Sequence, residues 1–113
     1  MPRISRLLRS RVRERAGGRC EYCRLPDAAQ LGSFHCDHVD PASRAGPTRS
    51  NNLAWACPWC NGWKLAHIKA RDPQSGVVVN VFNPRRQRWN GHFAWSSDYL
   101  RIIGLTPTGR ATI

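Results

Sequence analysis

Four of the five cysteines fall into two pairs whose spacing is typical of a metal site. In each pair two residues separate the cysteines, and the pairs comprise Cys20, Cys23, Cys57 and Cys60. A tight turn lets each pair place two sulfurs on one ion, and two pairs complete the closed four-thiolate coordination of structural zinc. Two disulfides or a redox-active pair are the alternatives. We interpret the remaining cysteine, Cys36, as a buried strand residue rather than a ligand.

A second group of polar residues stands inside an apolar run. Asp37 and His38 are neighbours within the stretch FHCDHVDP, residues 34–41. Burying a carboxylate beside an imidazole costs free energy unless a metal ion or another partner compensates it. Asn61 directly follows the second cysteine pair, and a carboxylate and an amide oxygen are hard ligands that suit Mg²⁺ or Mn²⁺ better than zinc. A neutral histidine beside such an ion is suited to act as a general base on water.

A basic amphipathic helix is predicted before the first cysteine pair. Residues 4–16, ISRLLRSRVRERA, place arginines on most faces of a helix. The apolar side chains recur at helical spacing, and they are Ile4, Leu7, Leu8 and Val12. Gly17 and Gly18 then provide a natural end to the helix.

Two strands and a helix are predicted around the polar group. Residues 34–39 and 52–57 read as strands, and the Pro, Gly and Ser content between them indicates a long connection. The two strands can therefore pair as a hairpin. A helix is predicted from about Asn61 until Asp72 and Pro73 end it.

The chain of 113 residues fits one domain, residues 1–113, with a modest core. We divide it into the basic helix, a zinc-stapled core over residues 20–70, and a β-rich extension over residues 77–113. In that extension GVVVNVF and RIIGLT read as strands. Zinc-binding energy would add to the folding energy of a small core, and we interpret the five tryptophans as packing in the core and around the cysteines.

The charge of the chain favours a polyanionic partner. Lysine and arginine total 18 against 7 acidic residues, which gives a formal net charge of +11. Nearly all of the excess is arginine, whose planar fork suits phosphate, so nucleic acid is the leading partner. Arg85, Arg86 and Arg88 form one candidate phosphate-contacting face, and a solvated surface that keeps the chain soluble is the alternative.

The sequence gives no reason to expect a membrane protein. No apolar run approaches the roughly 20 residues that span a bilayer. Arginines interrupt the apolar residues near the N-terminus, so the apolar centre of a signal peptide is missing. We therefore predict a cytoplasmic location, where cysteine pairs are read as metal ligands before disulfides.

Taken together, these residues resemble a known family. The stretch CEYC…FHCDHVDPASRAGPTRSNNLAWACPWCNGWK is similar to the HNH endonuclease family of the ββα-metal, or His-Me finger, superfamily. It resembles the subgroup with two zinc-binding CxxC pairs, closely over residues 15–64, and the flanks resemble those of bacterial members. The resemblance implies an α+β fold, a small ββα-metal domain stapled by a four-cysteine zinc site. An N-terminal amphipathic helix and C-terminal strands would flank that domain.

The resemblance also implies roles for individual residues. His38 matches the general base that activates water, and Asp37 matches the metal ligand beside it. Asn61 matches the last motif position, a second metal ligand that is histidine in many members, which makes this chain an HNN variant. Asn52 matches the middle asparagine, which braces the connection and helps to orient the base. Lys64 follows the motif at a position that can contact a phosphate of nucleic acid.

The implied activity is metal-dependent hydrolysis of DNA phosphodiester bonds. One Mg²⁺ or Mn²⁺ ion would polarise the scissile phosphate and stabilise the leaving 3′ oxygen, while His38 deprotonates the attacking water. The expected partner is double-stranded DNA, with a protein partner or a second copy of the chain left open as a source of specificity. The rival hypothesis is a non-catalytic zinc module that binds nucleic acid. Asp37, His38 and Asn61 favour the enzyme, since a binding module needs no hard-metal site beside a base.

Overall fold

Short helices and two-stranded antiparallel sheets form the regular structure of the computed structural model, which describes residues 4–29, 33–64 and 67–113. Within those ranges, each sheet pairs two strands that follow one another along the chain. These elements confirm the predicted α+β class. The chain divides into two compact units, Met1–Ala66 and His67–Ile113, and each is described by itself. The single domain expected from the sequence stays a prediction.

Helix α1, Arg6–Arg15, confirms the predicted basic helix. The Ser5 hydroxyl caps its start by accepting a hydrogen bond from the Leu8 N–H at 3.1 Å. Gly17 and Gly18 follow its end with φ angles of +66° and +70°, which glycine adopts without the strain that a side chain would bring. The helix therefore begins and ends where its local sequence predicts.

The hairpin and the helix after it give the first unit its ββα order. Strand β1, His35–His38, pairs antiparallel with strand β2, Leu53–Ala56. Strand β2 is buried along its whole length, whereas β1 places only Asp37 among the buried residues. Helix α2, Pro58–Lys64, starts two residues after β2 ends and packs against β1.

The connection between β1 and β2 is irregular but fixed. It contains two short 3₁₀ turns, Ala42–Arg44 and Ser50–Asn52. A side chain at Gly46 would place its Cβ 1.8 Å from the Asp40 carbonyl oxygen, so only glycine fits there. The backbone of the connection is thus drawn tightly onto the end of β1.

The predicted length of the helix after the second cysteine pair is wrong. Among the described residues α2 ends at Lys64, and Lys69–Arg71 instead form strand β3, which pairs with β4, Val78–Asn80. The reason lies in the turn between these strands. The Asp72 carboxylate accepts hydrogen bonds from the Gln74 and Ser75 N–H groups, which reverses the chain and brings the two strands together.

The second unit contains the predicted C-terminal strands and two helices that the sequence analysis missed. After β3 and β4 come helix α3, Trp89–His92, strand β5, Phe93–Trp95, strand β6, Ile102–Gly104, and helix α4, Pro107–Thr112. Phe82, Trp89 and Phe93 pack as an aromatic core with ring centroids 5.2–5.3 Å apart. Both missed helices are short, so neither shows a clear helical period in the sequence.

The expectation that every tryptophan packs in a core is correct for only part of the set. Trp55 and Trp89 are buried, but Trp59 and Trp63 are 65% and 46% exposed. These two lie one turn apart on an exposed face of α2. None of the described helices has the length and apolar character that crossing a bilayer requires.

Candidate active site and metal centre

Four cysteine sulfurs converge in the first unit. The Sγ atoms all lie within 4.8 Å of one another, and they belong to Cys20, Cys23, Cys57 and Cys60. Zn–S bonds of about 2.3 Å place the sulfurs of a tetrahedron about 3.8 Å apart. The Sγ atoms of Cys23 and Cys57 are 3.7 Å apart, so the cluster fits one tetrahedral ion. The prediction of a four-cysteine metal site is confirmed at the level of the ligand set.

Each cysteine pair forms the same tight turn. The Cys23 N–H donates to the Cys20 sulfur at 3.5 Å, and the Cys60 N–H donates to the Cys57 sulfur at 3.4 Å. The first pair follows α1 and the second pair joins β2 to α2. A metal ion in the cluster would therefore tie the start of the unit to the beginning of α2.

The crowding of the sulfurs changes their acidity. Hydrogen bonds from the Cys23 and Cys60 thiols lower the pKa of Cys20 to about 2. In that contact Cys23 is the donor and keeps its proton, so the contact raises the pKa of Cys23 to about 12. These shared hydrogen bonds favour the charged form of Cys20, and binding of a zinc ion to the remaining thiols would release protons.

The first cysteine turn is also attached to the hairpin. The Glu21 N–H donates to the Trp55 carbonyl at 2.8 Å, and the Trp55 N–H donates to the Glu21 carboxylate at 2.8 Å. Both residues are buried. This pairing fixes the backbone of the turn along β2 and directs the next side chain, Tyr22, into the interior.

Asp37 has two partners within the protein. Its Oδ2 atom accepts a hydrogen bond from the Tyr22 hydroxyl at 2.7 Å and lies 3.0 Å from the Lys64 ammonium. Burial raises the pKa of the Asp37 carboxyl above its ordinary value, although Lys64 and Tyr22 both act to lower it. Burial and the neighbouring Asp37 charge also hold the pKa of Tyr22 well above its usual range, so this phenol stays a hydrogen-bond donor.

Lys64 differs from the expectation that it contacts phosphate. It is 1% exposed, and its ammonium donates to the His38 and Val39 carbonyls at 3.2 and 3.3 Å as well as pairing with Asp37. The side chain turns inward because α2 packs against β1 and Lys64 faces that strand. The chain itself therefore supplies a cation that compensates the buried carboxylate of Asp37. The prediction that Lys64 contacts DNA is wrong, because its side chain is buried.

His38 is the last residue of strand β1 and is partly exposed. Its Nε2 atom lies 2.9 Å from the Thr48 hydroxyl, in the connection between the strands. Within the described parts of the chain, its Nδ1 atom makes no hydrogen bond. The imidazole is thus held at one nitrogen and available at the other.

Asn52 closes the connection on itself. Its buried amide oxygen accepts from the Asp40 N–H at 2.9 Å, and its amide nitrogen donates to the Asp40 and Pro47 carbonyls at 3.0 and 2.9 Å. The neighbouring Asn51 is exposed. Asn52 therefore joins the end of β1 to the segment that carries Thr48, the partner of His38.

Asn61 lies on α2, one turn before Lys64 and on the same helix face. Its N–H donates to the Cys57 carbonyl at 2.9 Å, so the second cysteine turn sets its position. That face of α2 is the one that reaches Asp37. In the described structure no hydrogen bond joins the side chains of Asp37, His38 and Asn61 directly to one another.

Three arginines of α1 are exposed but still bond to other segments of the first unit. Arg9 donates to the Phe34 carbonyl at 2.8 Å and lies 4.7 Å from the centre of a Trp55 ring. Arg15 donates to the Leu53 carbonyl at 2.6 Å. Arg13 pairs with Asp27 at 2.6 Å. The positive charge at the start of the chain thus has a structural use that composition does not reveal.

The predicted arginine face belongs to the second unit. Arg86 and Arg88 are exposed there, and Arg85 is half-buried with its N–H donating to the Asn83 side chain at 2.9 Å. A role for these residues in binding DNA stays a prediction.

Two contacts at the site were missed by the sequence analysis, those of Tyr22 and Thr48. Thr48 stands in an irregular connection where no periodicity shows the direction of a side chain. Tyr22 stands between two cysteines of a tight turn, and a large aromatic residue at such a position is a weak signal that it packs inward.

Comparison with protein families identifies the same region. A family model described as HNH endonuclease matches residues 20–65, which run from the first cysteine of the metal site to the residue after Lys64. The match therefore contains both cysteine pairs together with Asp37, His38 and Asn61. Comparisons with curated proteins and with solved structures give no match.

Proposed function

We propose that this chain is a metal-dependent endonuclease that hydrolyses phosphodiester bonds of DNA, because a family model described as HNH endonuclease matches residues 20–65. The observation that carries the proposal is the state of His38 within that segment. One ring nitrogen is bonded to Thr48 and the other makes no hydrogen bond among the described residues. A general base needs such an arrangement, a fixed ring with one nitrogen open to water.

The Thr48 contact is compatible with the form of His38 that a general base requires. When the Nε2–H of neutral His38 donates to the Thr48 oxygen, the lone pair is on Nδ1. His38 would then take a proton from water at Nδ1 and hold it while the water oxygen attacks phosphorus. Asn52 supports this step indirectly, because it fixes the connection in which Thr48 lies.

Asp37 and Asn61 are the residues that would hold the divalent ion. A carboxylate and an amide oxygen fit a hard cation, and both lie on elements that the cysteine cluster positions. When bound, Mg²⁺ or Mn²⁺ would polarise the scissile phosphate and stabilise the leaving 3′ oxygen. Asp37 and Asn61 would supply two protein oxygens to the ion, and phosphate and water would supply the others.

Zinc would have a structural role only. Four thiolates fill a tetrahedral ion and leave no position for substrate. The cysteine cluster would instead fix the turn that carries Tyr22 and the helix start that carries Asn61. The substrate expected from the family and from the basic charge is duplex DNA.

The experiment that tests the proposal is cleavage of supercoiled plasmid with Mg²⁺, with Mn²⁺ and with EDTA. We expect metal-dependent nicking that falls by about 100-fold or more in His38→Ala, since a positioned general base contributes about that much. His35→Ala is the matched control, because His35 is exposed on the same strand. Normal cleavage by His38→Ala would exclude the mechanism, and equal loss in both variants would indicate damage to β1 rather than loss of a base.

One observation favours the rival function, a zinc module that only binds nucleic acid. Lys64 already neutralises Asp37, so the buried carboxylate does not require a divalent ion for its stability. Binding of DNA that weakens with salt, without cleavage in any metal, would support this alternative.

A further inference from the structure

The Asp37 carboxylate is held at only one of its two oxygens. The Tyr22 hydroxyl at 2.7 Å and the Lys64 ammonium at 3.0 Å both contact Oδ2. Within the described residues, Oδ1 makes no hydrogen bond, and it is not among the fully buried polar atoms that lack a partner. One oxygen is therefore contacted from two sides, while the other makes no hydrogen bond among the described residues.

The two contacts to Oδ2 differ in their effect on a nearby cation. Lys64 carries a positive charge that repels a divalent ion at the same carboxylate. The Tyr22 hydroxyl is neutral, so it restrains the carboxylate without that repulsion. The backbone of Tyr22 is fixed by Cys20 and Cys23 on either side and by the pairing of Glu21 with β2.

We propose that Tyr22 is a positioning residue for the catalytic divalent ion, because its hydroxyl fixes Asp37 through Oδ2 and so presents Oδ1 as a single-oxygen ligand. The inference rests on the proposed function, which places the ion at Asp37. Hydrogen-bond partners of a ligating carboxylate orient the ligand, and their loss weakens metal binding or activity by about 10- to 100-fold. The zinc-site turn would in this way control the geometry of the second metal site.

Tyr22→Phe tests this inference, since it removes one hydroxyl and keeps the aromatic ring. Tyr99→Phe is the matched control, because Tyr99 is the other tyrosine of the chain and is 75% exposed. Binding of Mn²⁺ is measured directly, by the electron paramagnetic resonance signal of the free ion, on zinc-loaded protein. We expect about 10-fold weaker binding in Tyr22→Phe than in wild type and Tyr99→Phe, with zinc content and melting temperature preserved.

The outcomes separate this inference from the proposed function. Equal Mn²⁺ affinity in wild type and Tyr22→Phe would overturn the inference and leave the metal site of the nuclease intact. Failure of the wild type itself to bind Mn²⁺ would overturn both.

A second measurement does not depend on the folding of a Tyr22 variant. Wild-type protein labelled with 3-fluorotyrosine gives two fluorine resonances, one from each tyrosine, and Tyr99→Phe identifies them. We expect added Mg²⁺ to shift the Tyr22 resonance and not that of Tyr99, and Asp37→Asn to abolish the shift. An unmoved Tyr22 resonance at saturating Mg²⁺ would overturn the inference.

Discussion

Each unit of the chain contains a buried aspartate paired with a cation, and the two aspartates are held in different ways. In the second unit Asp72 uses both oxygens, with Arg110 bonded across them at 2.9 Å on each side and Ser75 and Gln74 adding further donors. In the first unit Asp37 uses one oxygen only. The hydrogen bonds from Arg110 hold the pKa of Asp72 well below its ordinary range, whereas burial raises the pKa of Asp37.

The comparison teaches how to tell a structural carboxylate from a functional one. A carboxylate whose lone pairs are all bonded can only hold its neighbours in place. A buried carboxylate with an unbonded oxygen and a raised pKa carries an unmet interaction, which is typical of a functional site. Asp72 fixes α4 to the β3–β4 turn, whereas one oxygen of Asp37 makes no hydrogen bond among the described residues.

The largest effect is expected from removing a zinc ligand. Cys57→Ser should lose bound zinc and the cooperative folding of the first unit together, since zinc contributes about 10 kcal/mol or more in small zinc domains. Zinc content and thermal unfolding followed by circular dichroism measure this. Cys36→Ser is the control, because Cys36 lies outside the cluster. A zinc-free Cys57→Ser protein that unfolds cooperatively would show that the cluster is not needed for the fold.

Removing the charge of Asp72, whose two carboxylate oxygens are both hydrogen-bonded, should have the next largest effect on stability. Asp72→Asn leaves Arg110 against a neutral amide and should lower the melting temperature of the second unit by about 10 °C. Asp98→Asn, at an exposed carboxylate of the same unit, serves as the control and should change it little. If both variants melt alike, the pairing of Asp72 with Arg110 is not the main support of α4.

A second matched pair, of histidine with threonine, sharpens the comparison. Thr48 bonds His38 at 2.9 Å, and Thr106 bonds His92 at 2.7 Å while also capping α4. Thr48→Val should lower plasmid cleavage by about 10-fold with little change in melting temperature, and Thr106→Val should lower stability by about 1 kcal/mol. Thr48→Ser, which keeps the hydroxyl, should retain activity. Equal cleavage by Thr48→Val and wild type would remove Thr48 from the mechanism.

The smallest effect is a difference in pH dependence. Asp72 has a lowered pKa in the folded state. Its contribution to the free energy of unfolding is therefore present at pH values above the unfolded pKa of about 3.9, and is lost as pH falls from there through the folded pKa. Asp37 has a raised pKa in the folded state. Its contribution to the free energy of unfolding is therefore present at pH values below the unfolded pKa, and is lost as pH rises through the folded pKa.

Melting temperatures of the two Asp→Asn variants, each measured relative to wild type across acidic pH, test these signs. The deficit of Asp72→Asn should grow as pH rises from about 2 to 4, and the deficit of Asp37→Asn should shrink as pH rises above about 4. Asp37→Asn is compared with wild type only at pH values where both proteins retain zinc, as measured zinc content shows. Deficits of the same sign with pH would contradict the contrast between the two aspartates.

Much of the fold follows from local sequence, and most contacts within the site do not. The CxxC spacing, the glycines after α1 and the alternation in β1 each act within a few residues, so they predict the metal ligands and the ββα order. The burial of Lys64 depends on a partner in β1 that is distant in sequence. The predicted end of α2 is wrong for a related reason, because strand β3 depends on its pairing with β4.

The arginines of α1 that bond within the protein bear on how this chain would respond to salt. Their guanidinium groups already donate hydrogen bonds within the protein. Arg9 donates to the Phe34 carbonyl, Arg13 to Asp27 and Arg15 to the Leu53 carbonyl. Each phosphate that a protein neutralises on duplex DNA releases counterions and steepens the fall of log affinity with log salt by about 0.9. The slope for this chain should therefore be shallower than its arginine count implies. Replacing Arg9, Arg13 or Arg15 by alanine should change the free energy of unfolding more than it changes that slope.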